Sequence, residues 1–164
     1  EIGATQTIYN LFPAGDARHA WTFGGTSAGI EVVKYPTTQG FEDIHVIRYG
    51  EVLLILAEGL ARQGGTSNLE EAVGYVNAVR NRSGAPLYDF GDDLTTQAEV
   101  LDAIHLERRL ELAFEGEYWF DLVRTDRAAA AIGSNFDVHE ALWPIPVTER
   151  DVAPNLTQNP GYGG

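Results

Sequence analysis

The 164-residue sequence has no cysteine, no methionine and a single lysine, Lys34. The lack of cysteine excludes a disulfide scaffold, thiol catalysis and thiolate metal sites, and leaves the redox compartment open. With Glu1 in first place and no methionine anywhere, the expectation is a processed product or a fragment, and the fragment is preferred. Basic charge is scarce: 11 Lys and Arg against 24 Asp and Glu give a formal net charge of −13. No basic stripe is available to neutralise phosphates, so nucleic acid is excluded as a partner. No apolar run approaches the roughly 20 residues needed to span a bilayer. Gly24-Gly25 does not open a phosphate loop, no serine elbow stands out, and His19, His45, His105 and His139 lack metal-ligand spacing. Neither a metal nor a cofactor is expected. Acidity with almost no lysine fits codon bias or a protein working in brine, and both stay open.

At 44% hydrophobic and 21% charged residues, the chain has the composition of a folded protein. Residues 1–47 read as a loop-rich lead-in, punctuated by Pro13-Ala14-Gly15-Asp16, Gly24-Gly25-Thr26-Ser27 and Pro36-Thr37-Thr38-Gln39-Gly40, with a short strand or extended stretch at 30–35. Residues 48–132 read as a helical core. Val52 to Ala57 is an unbroken apolar run continued by Leu60, as in a helix buried between neighbours, and Gln63-Gly64-Gly65 stops it. Ser67-Asn68-Leu69-Glu70 reads as a capping box, followed by a stripe of Leu69, Ala72, Val73, Val76 and Val79. Two helices over about 35 residues match a tetratricopeptide-type hairpin, which needs further helices stacked on it. Thr96-Gln97-Ala98-Glu99 is a second capping box, opening what should be the longest helix, to about Glu115; an aromatic helical turn at 118–124 is prolonged from Asp126 to Ile132. Residues 133–164 form an extended Pro/Gly-rich tail, extended above all at Leu142-Trp143-Pro144-Ile145-Pro146. The predicted class is mainly α: helical hairpins packed with long irregular segments.

The sharpest chemical feature is the spacing of Glu107, Glu111 and Glu115. Three carboxylates recur on one helix face, in line with the apolar Val100 and Ile104, and like charges at that spacing repel. Cations from elsewhere must meet them, with Arg48, Arg80, Arg82, Arg108 and Arg124 as candidates. A structural ion-pair network of Glu107, Arg108, Glu111, Glu115, Asp121 and Arg124 is preferred over acid–base catalysis or a hard-cation site.

Arg48-Tyr49-Gly50-Glu51-Val52-Leu53-Leu54-Ile55-Leu56-Ala57-Glu58 resembles the motif that opens the C-terminal part of SusD/RagB-type proteins, the surface nutrient-binding lipoproteins of Bacteroidota. Residues 77–84, 107–116, 119–124, Leu142-Trp143-Pro144-Ile145-Pro146 and 155–162 follow in the family's order, and Asp16-Ala17-Arg18 and Lys34-Tyr35 sit where such pairs are usual. Departures are Tyr118, where an arginine is common, and Gly50 and Gly59, where alanine is more usual. The resemblance implies tetratricopeptide-like hairpins supporting loops that grip a glycan or, in some lineages, a peptide. It implies no catalysis, a lipid anchor at the outer-membrane surface, and action as a lid on a SusC-like TonB-dependent transporter. On this reading residues 1–164 are one C-terminal segment of a larger protein, and its membrane contact is made only through an N-terminal lipid absent from this chain.

Sugars stack on exposed rings, so the aromatics need sorting. Trp119, Phe120 and Trp143 are expected in the core. Trp21, Tyr35, Tyr88 and Phe90 lie in loop-like segments, also preferred as core or lid, with Trp21 and Tyr35 kept as candidate ligand contacts. Two other classes stay open: a helical-repeat interaction module, and a glycoside hydrolase using Glu111 or Glu115 with Asp121.

Overall fold

The computed structural model describes residues 2–26, 29–35, 43 and 45–163. Two compact units divide at 118/119, within the stretch expected as one helical core. The turn expected at Pro36–Gly40 and residue Ser27 lie outside the described residues.

The first unit opens with α1 (Ile2–Tyr9) and α2 (Arg18–Thr22), then a hairpin of β1 (Phe23–Thr26) and β2 (Gly29–Val32), antiparallel with Phe23 opposite Val32 and Gly25 opposite Ile30. The lead-in is therefore more regular than its turn signals suggest. Gly24 and Gly25 are strand residues. Gly25 has a left-handed φ of 76°, and a Cβ there would lie 2.1 Å from the Gly29 carbonyl oxygen, so this position accepts only glycine.

α3 (Tyr49–Gln63) and α4 (Thr66–Ser83) form the expected helical hairpin, and α5 (Gln97–Glu111) packs on both. Their core joins Leu54, Ala57 and Ala61 of α3 to Leu69, Ala72, Val73, Val76 and Val79 of α4 and Val100, Ala103 and Ile104 of α5. Burying a large aliphatic side chain of this kind stabilises by about 1.5–3 kcal/mol. Tyr88 and Phe90 are half-buried against it. A second core gathers Ile8, Phe12, Phe23, Leu110 and Ala113. α5 thus contributes to both cores, Ile104 to one and Leu110 to the other.

Three expectations need correction. The box at Ser67 does not form: α4 starts at Thr66 after Gly65, without a side-chain cap, and the Asn68 amide instead donates to the Gly64 carbonyl at 2.8 Å. α3 is not covered all round, since Tyr49, Val52, Ile55 and Leu56 are exposed. α5 stops at Glu111, so the 18-residue α4 is the longest helix among the described residues. The box at Thr96 and Glu99 is present, with both reciprocal bonds.

α6 (Glu117–Arg124) begins at the junction of the units. The second unit continues with α7 (Ala128–Ile132), 3-10 turns at Gly133–Asn135 and Val138–Ala141, and α8 (Val147–Val152). Asp126 adopts a left-handed φ of 56°, so α7 is a separate helix rather than a prolongation of α6. The tail is tied by side chains. The Gln158 side-chain amide pairs with both backbone groups of Ile145, the Asn159 side chain donates to the Trp143 carbonyl at 2.7 Å, and the Tyr162 hydroxyl donates to that of Leu142 at 2.8 Å. Trp119 is half-buried with its ring edge toward Phe136, but Phe120 and Trp143 are exposed, contrary to the core assignment. An eight-residue helix cannot cover both faces of an aromatic pair, and prolines flanking Trp143 hold its backbone extended without burying its ring.

Candidate functional site

The acidic row of α5 lies where the two cores of the first unit meet, and five cations converge on it. Glu107 is fully buried; its carboxylate pairs with Arg18 at 2.7 Å and accepts from Arg80 at 2.8 Å. The Arg80 guanidinium also lies 4.0 Å over the ring of Tyr88, an arrangement open to arginine because its planar head is weakly hydrated. Glu111 accepts at one oxygen from Arg48 (2.7 Å) and Arg82 (2.8 Å), and at the other from Arg18 (3.0 Å) and Arg82 (2.7 Å). Glu115 takes a bidentate pair from Arg48, Nε at 2.8 Å and Nη2 at 2.7 Å, together with the Lys34 ammonium. Arg18 is itself held by a second fork onto Asp16.

The end of α5 explains how Glu115 joins the row without being helical. Arg48 donates to the Glu111 carbonyl at 2.7 Å and Lys34 to that of Ala113 at 2.8 Å. Cations at a helix C-terminus meet its partial negative charge and its unsatisfied carbonyls. With the Glu111 carbonyl engaged, the Glu115 amide turns to Leu112 instead, at 3.0 Å. Phe114 then adopts φ 63°, rare for a residue with a side chain, while its ring packs on Phe23 with centroids 5.7 Å apart. The tight turn swings the Glu115 carboxylate back onto Arg48.

Electrostatics follow from this saturation. Burial opposes ionisation of Glu111, but Arg48, Arg82 and Arg18 outweigh it and hold its carboxyl below the ordinary value. Burial likewise opposes the charge on Glu115, and Arg48 and Lys34 reverse the balance. Asp16 is held low against burial by Arg18 and Ser83. Burial would lower the pKa of Arg18, yet Asp16 and Glu107 raise it. Lys34 goes the other way: burial outweighs Glu115 and its pKa falls.

Above this charged floor lies an open hollow of about 530 Å³, within the usual size range of small-molecule sites. Trp21, Thr22, Tyr35, Asp43, His45 and Leu110 form its walls with Arg18, Lys34, Arg48, Arg82, Glu111 and Glu115. Trp21, 56% exposed, and the half-buried Tyr35 are thus brought to one cavity.

The preferred network is only partly brought together. Glu107, Glu111 and Glu115 share cations, and Arg48, Arg80 and Arg82 arrive as candidates for that part. Arg108 instead faces Glu51 at 3.6 Å. Asp121 accepts from Arg124 at 2.8 Å in the second compact unit. Sequence reasoning missed Arg18 and Lys34 as partners of the row, and Asp43 and His45 as walls. The only signal for the first two was their place in the short Asp16–Arg18 and Lys34-Tyr35 motifs. Among the described residues no group of three or more His, Asp or Glu side chains is placed to hold a metal ion.

Comparison with known proteins gives a consistent result. The model of the SusD family matches residues 31–141. SusD-like protein P38 of Formosa agariphila is 33% identical over 138 residues, covering 79% of this chain and 27% of the relative. The starch-binding protein SusD of Bacteroides thetaiotaomicron is 30% identical over 139 residues, covering 78% of this chain and 22% of the relative. The crystal structure of a SusD homologue from Bacteroides thetaiotaomicron superposes with a TM-score of 0.76 at 28% identity, over 95% of this chain and 38% of that one. The chain therefore spans about a quarter of the length of the curated relatives it matches.

Proposed function

The chain belongs to the SusD family, and on that premise we propose that it serves non-catalytic capture of oligosaccharides at the bacterial cell surface. In this reading the captured glycan passes to a SusC-like TonB-dependent transporter, and the protein sits on the outer membrane by a lipid anchor. One relative is named for starch binding, which supports glycan as the ligand class. The observation that carries the reading is the hollow itself: an exposed tryptophan beside carboxylates that are already saturated by arginine. A sugar presents an apolar C–H face that stacks on such a ring and hydroxyls that pair with planar polar groups.

The same geometry argues against a hydrolase. A glycosidase needs one carboxyl kept protonated near neutral pH, opposite a second, ionised one. Glu111 and Glu115 are both held ionised, and Asp121 is engaged by Arg124. A helical-repeat interaction module is the second reading, favoured by the exposed apolar face of α3 at Tyr49, Val52, Ile55 and Leu56.

Calorimetric titration with an oligosaccharide panel, alongside a reducing-end assay, tests the proposal. Trp21→Ala is expected to weaken glycan binding about tenfold, or about 1.4 kcal/mol, and no reducing ends should be released. Undiminished affinity in Trp21→Ala, or glycan cleavage by the pure protein, would overturn it.

A further inference from the structure

The hollow is close to electrically balanced within a strongly acidic molecule, its lining cations being met by Glu111, Glu115 and Asp43 and, behind Arg18, by Asp16 and Glu107. The chain carries a formal charge of −13, yet among the described residues the lining sets four cationic side chains, Arg18, Lys34, Arg48 and Arg82, against Asp43, Glu111 and Glu115. Glu111 and Glu115 are turned onto guanidinium groups at 2.7–3.0 Å, so most of the negative charge facing a ligand is already compensated.

Arg82 differs from its neighbours. Arg18 is buried and uses its Nε and both terminal nitrogens on Asp16, Glu107 and Glu111, while Arg48 spends Nε and both terminal nitrogens on Glu111 and Glu115. Arg82 reaches Glu111 through Nη2 alone, and its side chain is 51% exposed. Its Nε and Nη1 make no hydrogen bond to any described residue. A guanidinium anchored at one nitrogen and open at the other two is oriented to receive a second planar or tetrahedral anion at little further cost in side-chain freedom. Trp21 stands on the same cavity.

We infer that the hollow selects acidic oligosaccharides, with Arg82 taking a uronate carboxylate or a sulfate ester and Trp21 the face of the ring that bears it. The inference rests on the glycan-capture reading and names its substrate class. Repulsion from the acidic remainder of the chain does not cancel the contact, because charges beyond about 8 Å are largely screened at physiological ionic strength. Free phosphate offers the anion without a ring to stack, and engages only half of the arrangement.

The test compares matched pairs by calorimetric titration of the whole chain. Tetragalacturonate is set against its methyl ester, and a sulfated galactan tetramer against its desulfated form, with inorganic phosphate as the ring-free control. The acidic member of at least one pair is expected to bind about tenfold more tightly than its neutral counterpart, and which pair responds separates carboxylate from sulfate. Arg82→Gln should bring that ratio to near unity, Arg82→Lys should leave part of it, and Trp21→Ala should weaken both members and keep the ratio. If neutral members bind as well as acidic ones, or the ratio survives in Arg82→Gln, the charge selection is refuted while glycan capture stands. If no tetramer binds, both readings fall; phosphate binding as tight as the acidic tetramers would refute the role given to the ring. The ratio measured on the unsubstituted chain decides the matter even if a variant fails to fold.

Discussion

Replacing Glu111 by glutamine removes one charge from the centre of the row while keeping nearly the same volume. The Glu111 side chain is 1% exposed, and its three arginine partners differ sharply: Arg18 is 5% exposed, Arg48 20% and Arg82 51%. Stranding a buried charge costs about 3–5 kcal/mol. Arg82 and Arg48 border the hollow and regain water when released, whereas Arg18 does not. The cost therefore falls at the low end, about 3 kcal/mol, out of the 5–15 kcal/mol typical of a domain. The same reasoning ranks the partners. Arg18→Met leaves Asp16 and Glu107 buried with one cation fewer and should cost about 3–5 kcal/mol, while Arg82→Met gives up an exposed pair worth about 1 kcal/mol or less. Urea unfolding followed by tryptophan fluorescence gives each difference from the midpoint at constant slope. A Glu111→Gln chain within about 1 kcal/mol of the unsubstituted one, or Arg82→Met as costly as Arg18→Met, would refute the assignment of this row as a buried frame.

Two further outcomes are expected. Asp16, Glu111 and Glu115 have carboxyls held below their ordinary values of 3.8, 4.5 and 4.5, so the stability they contribute is complete above those values and lost as pH falls through the folded ones. The melting temperature should hold from about pH 7 to pH 5 and drop below about pH 4.5, less steeply in Glu111→Gln; a flat profile down to about pH 3 would contradict the linkage. Among helical glycines, Gly59 of α3 has nothing within 4 Å of the place an added methyl would take, and Gly59→Ala should stabilise by about 0.5–1 kcal/mol. Gly84, which ends α4 at φ 73° with the Gly15 carbonyl 3.3 Å from its would-be Cβ, should lose about 1–2 kcal/mol as alanine; equal responses at the two sites, read from the same urea midpoints, would show that backbone conformation is not the deciding factor.

Much of the helical frame was legible because its signals are local. The stripe from Leu69 to Val79 is buried throughout, and the box at Thr96 closes with Glu99 three residues on, the Glu99 carboxyl being drawn down to about 2 by the amides and hydroxyls of Thr95 and Thr96. The failures have a common cause. Ser67 looks like a cap by spacing, but Gly65 takes the cap position two residues earlier and leaves the serine inside α4. Val52, Ile55 and Leu56 carry a buried pattern, yet burial depends on what packs there, and these three are exposed in this chain. The β-hairpin was hidden because Gly24 and Gly25 read as turn residues, whereas the second glycine is needed for a close backbone approach within the strand pair.

The candidate site divides along the same line. Carboxylates at every fourth position, continuing an apolar stripe, state that cations must arrive; they do not state which. That is decided by topology: Arg18 reaches Glu111 across 93 positions of sequence and Lys34 reaches its carbonyl across 77. Periodicity also places Glu115 on the helix, and it is the capture of the Glu111 carbonyl by Arg48 and of the Ala113 carbonyl by Lys34 that ends α5 early and turns Glu115 back toward Arg48. The long-range partners thus rewrite the local structure that seemed to call for them. The hollow lies over the same convergence: of the five cations that meet the row, Arg82 is held by a single nitrogen, on the cavity that Trp21 also lines, and under the acidic-glycan proposal it is the group left to meet a ligand.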